Sequence, residues 1–148
     1  MEKKTVFIIL GVVGGLLLCC GATGIVGVFF GYKALKTSAD KVKRHNDLMQ
    51  IGLAYHGFYD GNKRPPASVA ELRQQPLSVD AVRKLEDGSI VFLYGVAPLE
   101  MSEGSTNTVL AYEKDVPTSG GYVVFGDGHV DWVTPERFKT LAQAKKKG

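Results

Sequence analysis

The stretch TVFIILGVVGGLLLCCGATGIVGVFFGY, residues 5–32, contains no charged residue and lies between Lys4 and Lys33. About 20 apolar residues are enough to cross the hydrocarbon core of a bilayer. The run therefore predicts a transmembrane helix. It also divides the chain into a basic leader at residues 1–4, the membrane segment at 5–32, and one domain at 33–148, which is an ordinary length for a single domain.

Two other interpretations of this run compete with an uncleaved anchor. A cleaved secretory signal has an apolar region of only about 7–15 residues, and this run is longer. A lipoprotein signal at Leu17-Leu18-Cys19-Cys20-Gly21 needs a small residue before the modified cysteine, whereas Leu18 precedes Cys19. The uncleaved anchor is the favoured interpretation.

Small residues follow one another along one face of the predicted membrane helix. Cys20 is followed at intervals of four, three and four residues by glycines, and two small-xxx-small pairs are present. This pattern lets two helix backbones approach closely in lipid. It predicts self-association, with an ordinary lipid-facing glycine content as the alternative, through Gly11, Gly15, Cys20, Gly24, Gly27 and Gly31.

Charge and cysteine content limit what the domain at 33–148 can be. Its 16 basic and 14 acidic residues are scattered along the sequence, apart from a basic cluster after residue 32 and a short lysine tail. This pattern does not resemble a nucleic-acid-binding surface, so no nucleic-acid partner is expected. Both cysteines lie within 5–32, so the domain contains no disulfide and its compartment cannot be inferred from cysteine usage.

A long amphipathic helix is predicted directly after the apolar run. Residues 33–59 contain no proline and carry a stripe with alternating four- and three-residue spacing. This spine helix is expected to continue the membrane helix, to end near Pro65-Pro66, and to enter the core with its C-terminal half. The stripe consists of Leu35, Ala39, Val42, Asn46, Met49, Leu53 and His56.

The remainder of the domain has the signals of an α+β fold. Short helices are expected within residues 68–85, where Ser68 and Glu71 have the spacing of a capping box. An antiparallel sheet of about four strands is expected within 89–133, and a terminal helix at 135–145, where proline stands at the first helical position.

The clearest turn signal is Asp127-Gly128 between two alternating apolar runs, which predicts a two-residue type I′ hairpin. In that register Phe125 faces Val130 and Val123 faces Trp132, and this side of the hairpin is expected to pack on the spine. Tyr122, Val124 and Val133 then form the second face and a candidate contact surface, with cover by the terminal helix as the alternative.

Two segments resemble a planctomycete pseudopilin-like family of unknown function, related to type IV pilins and type II secretion pseudopilins. They are NDLMQIGLAYHGFYD at residues 46–60, followed by Arg64-Pro65-Pro66, and FGDGHV at residues 125–130. The resemblance implies a pilin-like fold and structural roles for Asn46, Gly52, His56, Asp127 and Gly128.

The chain also departs from that family. No glycine precedes Phe7, no acidic residue lies within 5–32, and Pro117 stands where the family has a histidine. Cleavage by a prepilin peptidase and assembly into a filament are therefore not implied by the resemblance.

Catalytic and metal-binding motifs are absent from the sequence. Asp127, His129 and Asp131 are close together and could form a weak ion site, with calcium as the candidate because some secretion pseudopilins bind it. The turn itself explains Asp127, and the other two are expected to be exposed on the face opposite Phe125 and Trp132. The interpretation is therefore no enzyme, no cofactor and no metal.

Two functions remain open at this stage. The first is a single-pass, pseudopilin-like structural or accessory component in the inner membrane, with its domain in the periplasm or outside the cell. Its expected partners are the lipid bilayer, further copies of itself or other pilin-like subunits. The second is a membrane-tethered binding or sensing module. Five basic residues soon after residue 32 favour a cytoplasmic domain, whereas the resemblance favours export.

Overall fold

The computed structural model describes residues 38–145, and the compact unit within them begins at Val42. Helix α1 covers residues 38–62 of the described chain. The elements that follow are α2 (Val69–Leu72), α3 (Val79–Glu86), β1 (Ile90–Phe92), β2 (Thr108–Glu113), α4 (Val116–Ser119), β3 (Gly121–Phe125), β4 (Val130–Val133), α5 (Pro135–Thr140) and β5 (Ala142–Gln143).

The predicted membrane architecture requires correction. Within residues 38–145, no helix is both long enough and apolar enough to cross a bilayer. This finding contradicts the fold class with a transmembrane helix continuous with the spine, and with it the single-pass, inner-membrane localisation. The segment 5–32, from which that prediction came, lies outside the described residues. The fold class becomes α+β with a small antiparallel sheet.

The sheet has the antiparallel order β1-β2-β3-β4. Strand β1 pairs with the C-terminal half of β2, where Ile90 lies opposite Glu113. The N-terminal half of the same edge is occupied by β5, which runs parallel to β2 with Thr108 opposite Ala142. The sequence predicted the four antiparallel strands, but it did not predict β5 or α4.

The terminal helix is shorter than the predicted range of 135–145. It begins as expected, because Thr134 Oγ1 accepts a hydrogen bond from Arg137 N at 3.3 Å and Pro135 takes the first helical position. It ends at Thr140, since Leu141 has an extended backbone. Ala144 N then donates to Val109 O at 2.9 Å. Ala142 and Gln143 therefore pair with the open half of the β2 edge instead of continuing the helix.

The hairpin register differs by one residue from the prediction. Phe125 N donates to His129 O at 2.9 Å, and Val124 lies opposite Val130. The loop therefore has three residues, 126–128, of which only Gly128 has a positive φ, at 91°. A three-residue loop that ends in a left-handed residue is a common alternative to the two-residue type I′ turn. Because side chains alternate, this shift exchanges the faces of β3 relative to β4, so that Val130 shares a face with Val124 instead of Phe125.

The two faces of the sheet contribute to two different clusters. Val124 packs in the cluster that contains α1, whereas Val123 and Phe125 pack with Phe138 of α5. The predicted packing of Phe125 and Val123 on the spine is therefore wrong. The predicted contact surface is also wrong, because Val124 and Val133 are buried and Tyr122 is half-buried. Trp132 keeps 50% of its surface exposed.

Helix α1 buries a different stripe from the one that the sequence analysis selected. Its fully buried side chains are Leu48, Ile51, Tyr55 and Phe58, with spacings of three, four and three. Of these, Leu48, Ile51 and Tyr55 meet the sheet and α2 in one cluster. The alternative stripe lies on the other side of the helix, where Val42 is 60% exposed and Leu53 is 63% exposed.

Tyr55 makes the main polar contact of this core. Its hydroxyl donates to Val96 O at 2.7 Å, and burial raises the pKa of the phenol above its ordinary value. Replacing Tyr55 with Phe leaves the Val96 carbonyl without its donor, which should lower the free energy of unfolding by about 1.5 kcal/mol. Urea denaturation measures this change.

The matched control is Tyr94→Phe. Burial also raises the pKa of Tyr94, to about 12, but within residues 38–145 its hydroxyl has no hydrogen-bond partner. The control should therefore change stability by less than about 0.5 kcal/mol. Equal losses in the two variants would show that the bond to Val96 contributes nothing.

Candidate functional site

Helix α1 touches the hairpin loop directly at Gly52. A Cβ atom placed on Gly52 would lie 3.0 Å from Val124 Cγ2 and 3.1 Å from Gly128 Cα. Such distances are shorter than ordinary van der Waals contact between carbon atoms. A residue without a side chain is therefore needed for the helix and the loop to come this close.

His56 extends the same contact by one helical turn. A Cβ atom on Gly128 would lie 3.5 Å from His56 Cδ2 and 3.7 Å from its Nε2. The Nε2 atom is buried and has no hydrogen-bond partner in the described chain. The ring meets the edge of Tyr55 at a centroid distance of 5.2 Å. The two resembling segments thus meet through Gly52, His56 and Gly128.

The other two motif residues lie outside this contact. Asp127 is exposed, and its Oδ1 accepts from His129 N at 3.1 Å and lies 2.6 Å from His129 Nδ1. Burial opposes ionisation of Asp127, but hydrogen bonds from His129 and Thr106 outweigh it and hold its pKa below the ordinary value. Through these contacts with His129, Asp127 organises the turn. Asn46, in contrast, is exposed on α1.

The three polar residues of the hairpin do not form an ion site. Asp131 accepts hydrogen bonds from Arg137 Nη1 at 2.7 Å and from Trp132 N at 2.8 Å, whereas His129 is paired with Asp127. The His129 ring also stacks on the Phe125 ring, with 4.3 Å between the ring centroids. This contact corrects the prediction that His129 lies on the face opposite Phe125. In the described part of the chain, no group of three or more His, Cys, Asp or Glu residues could hold a metal.

Of the three ion pairs that join α1 to other elements within residues 38–145, Lys43–Asp80 lies at the surface and two are partly buried. The first of these two connects Arg44 and Glu113. Arg44 donates two hydrogen bonds to Glu113, at 2.6 and 2.5 Å, and the carboxylate also accepts from Tyr122 N at 2.8 Å. The hydrogen bond to Glu113 is the main reason why the pKa of Arg44 is raised. This bidentate pair fixes the start of α1 against the end of β2.

The second ion pair is more deeply buried. Lys84 Nζ of α3 lies 2.6 Å from Asp47 Oδ2, and Asp47 is only 4% exposed. Sequence reasoning missed both pairs, because their partners are 69 and 37 residues apart. The one available signal was an acidic residue directly beside Leu48, on the buried side of the helix.

An open cleft of about 340 Å³ lies beside these pairs. Two of its charged lining residues, Arg44 and Glu113, pair with each other, Lys84 pairs with Asp47, and Ser89 is its only hydroxyl-bearing side chain. No histidine or cysteine lines the cleft, so Ser89 has no imidazole base beside it. The lining residues are Arg44, Lys84, Ser89, Ile90, Glu113, Lys114 and Asp115.

The outer face of α1 carries apolar side chains that the domain leaves uncovered. Val42, Met49 and Leu53 are 60%, 39% and 63% exposed, and the exposed Asn46 lies between them. We call these four residues the outer stripe. Single exposed apolar residues are common on protein surfaces, but an aligned set is typical of a contact surface. The outer stripe is the candidate functional site.

Comparison with known proteins does not place the chain in a family: no family model, curated protein or solved structure matches it. The six residues predicted to mediate self-association, Gly11, Gly15, Cys20, Gly24, Gly27 and Gly31, lie outside the described residues.

Proposed function

We propose that this chain is a non-enzymatic structural or accessory protein of the pseudopilin-like kind, related to type II secretion and type IV pilus systems, and that it acts through contact with other protein subunits. The observation that carries the proposal is the outer stripe. One side of α1 is covered by the domain, and the opposite side presents Val42, Met49 and Leu53 to solvent.

Two further observations support this function. The segments that resemble the pseudopilin-like family meet through Gly52, His56 and Gly128, which is what a shared structural role of these segments requires. The cleft beside Ser89 has no imidazole or thiol among its lining groups. Neither feature provides the convergent acid, base and nucleophile of an enzyme site.

Photocrosslinking in the cells that make the protein tests this proposal. Benzoylphenylalanine in place of Leu53 should capture subunits of a pilus or secretion assembly. The matched control places it at Leu99, which is also apolar, is 92% exposed, and lies in the connection between β1 and β2. The control should capture these subunits at least about tenfold less.

Two outcomes would contradict the proposed function. Capture of no protein at position 53 would show that the outer stripe is not a contact surface. Capture of one partner unrelated to any pilus or secretion assembly would favour a binding or sensing module instead.

A further inference from the structure

We propose that the outer stripe binds a second copy of this chain, and that the two α1 helices pair in parallel as a short two-stranded coiled coil. This inference rests on the proposed function, because it names the partner for the same surface. The observations that carry it are the spacing of the stripe, its single amide and the neutrality of its flanks.

The spacing of the stripe is that of a coiled coil. Ala39, Asn46 and Leu53 follow each other at seven residues and take the a positions of a heptad. Val42 and Met49 take the d positions between them. Two helices with this pattern pair by inserting each a and d side chain between residues of the partner helix. Val42, Asn46, Met49 and Leu53 are exposed and lie away from the buried face of α1, so a second helix can reach them.

Asn46 indicates which partner fits. An amide in the middle of an apolar stripe needs both a donor and an acceptor from the surface that covers it. A second copy in parallel register supplies both, because each Asn46 then lies opposite the other Asn46. A single asparagine at an a position is a known determinant of register in parallel dimers. An apolar partner would leave this amide without hydrogen bonds.

An antiparallel arrangement does not provide the same match. In that arrangement a residues face d residues, so Asn46 would face Val42, Met49 or His56 instead of another Asn46.

The flanks of the stripe allow two identical surfaces to approach. The residues at the heptad's e and g positions usually select the partner by charge. Here only Lys43 carries a full charge, and it is already paired with Asp80 of α3. Two copies therefore bring no unpaired like charges together, and the flanks offer no charge by which to select a different partner. The flanking residues are Lys43, His45, Gln50, Gly52, Gly57 and Tyr59.

Site-specific crosslinking of the purified full-length chain tests the pairing. Cys19 and Cys20 are replaced with alanine, and one new cysteine is introduced as Met49→Cys or Leu53→Cys. A short bis-maleimide should convert each variant to a covalent dimer in mild detergent, which limits non-specific association of the uncharged run. The matched control is Leu99→Cys, which should crosslink at least about tenfold less although Leu99 is more exposed.

A mixture of differently tagged Met49→Cys and Leu53→Cys chains tests the direction. A parallel pair gives 49–49 and 53–53 dimers in preference to 49–53 dimers. A predominance of the mixed product would overturn the parallel arrangement. Equal crosslinking of the Leu99→Cys control, or no crosslinking at 49 and 53, would overturn the pairing itself.

Asn46→Leu provides an independent variant at an exposed position, where loss of folding is not expected. Removing the amide should increase the yield of crosslinked product and admit species larger than a dimer, because the a-position asparagine restricts oligomer state at a cost in stability. An unchanged yield and size distribution would contradict the role assigned to Asn46.

The two sets of experiments separate the two proposals. If the cysteine variants do not crosslink while benzoylphenylalanine at position 53 captures a different assembly subunit, the pairing is wrong and the proposed function stands. If the cysteine variants form dimers while position 53 captures this chain but no assembly subunit, the pairing stands and the relation to secretion or pilus systems fails.

Discussion

Replacing Lys84 with methionine should lower the free energy of unfolding by about 3 kcal/mol. Lys84 Nζ lies 2.6 Å from Asp47 Oδ2, and Asp47 is only 4% exposed. The variant keeps most of the lysine stem but removes the charge, so the Asp47 carboxylate remains buried without its cation. Breaking a buried pair on one side is strongly destabilising, whereas replacing both partners often is not.

Urea denaturation of Lys84→Met, of Asp47→Leu and of the double variant measures this effect. The double variant Asp47→Leu, Lys84→Met should regain most of the lost stability, because no buried charge is left unpaired. Lys43→Met is the matched control, since Lys43 pairs with Asp80 at the surface and its loss should cost less than about 1 kcal/mol. If the free energy of unfolding fell no further in Lys84→Met than in Lys43→Met, the buried pair would contribute no more to stability than the surface pair.

Replacing Gly52 with leucine should lower the free energy of unfolding by about 2 kcal/mol. The first atom of the new side chain would already lie 3.0 Å from Val124 Cγ2 and 3.3 Å from Gly128 O. The backbone of the loop cannot move aside without breaking the Phe125–His129 hydrogen bond. A close contact with backbone atoms places the overpacking cost near the upper end of the usual range, at about 3 kcal/mol, and the roughly 1 kcal/mol of helix propensity that the substitution gains offsets only part of it.

Gly61→Leu is the control for this substitution, because Gly61 is also helical but a Cβ atom placed on it would meet no neighbouring atom within 4 Å. Its stability should stay the same or rise by up to about 1 kcal/mol. Thermal denaturation compares the two variants. If Gly52→Leu were as stable as Gly61→Leu, the close contact between α1 and the hairpin loop would be refuted.

Local signals predicted several elements well. Strand β2 covers the predicted residues 108–113, and α5 starts where the threonine cap and Pro135 indicate. The capping box at α2 is not formed: the Ser68 side chain makes no capping bond, and Glu71 accepts at 2.7 Å from Ala67 N, one residue before the N-cap. Such signals depend on neighbours in sequence, which is why they could be recognised without the fold.

The orientation of α1 could not be determined from periodicity. Two stripes on this helix, one through Leu48, Ile51, Tyr55 and Phe58 and the other through Val42, Asn46, Met49 and Leu53, have the same alternating spacing. The first contains two large aromatic side chains and therefore buries more apolar surface, which decides that it enters the core. The sequence analysis selected the second, and this stripe became the candidate functional site.

The hairpin register and the ion pairs depend on contacts that are distant in sequence. Asp-Gly is compatible with both a two-residue and a three-residue loop, and the packing of Val124 against Gly52 accompanies the second. Lys84 and Glu113 lie too far from their partners on α1 for any local spacing to reveal them. The candidate site was therefore less predictable than the strands.

Oxidation of Met49 tests the central claim, that the outer stripe is uncovered in the single chain and covered by protein in the cell. Met49 is 39% exposed, and Met101, at 7%, is an internal buried standard. In the dilute purified protein, Met49 should be oxidised much faster than Met101, and in intact cells its rate should fall toward that of Met101. A Met49 that is protected in the dilute protein, or equally reactive in both settings, would contradict the claim.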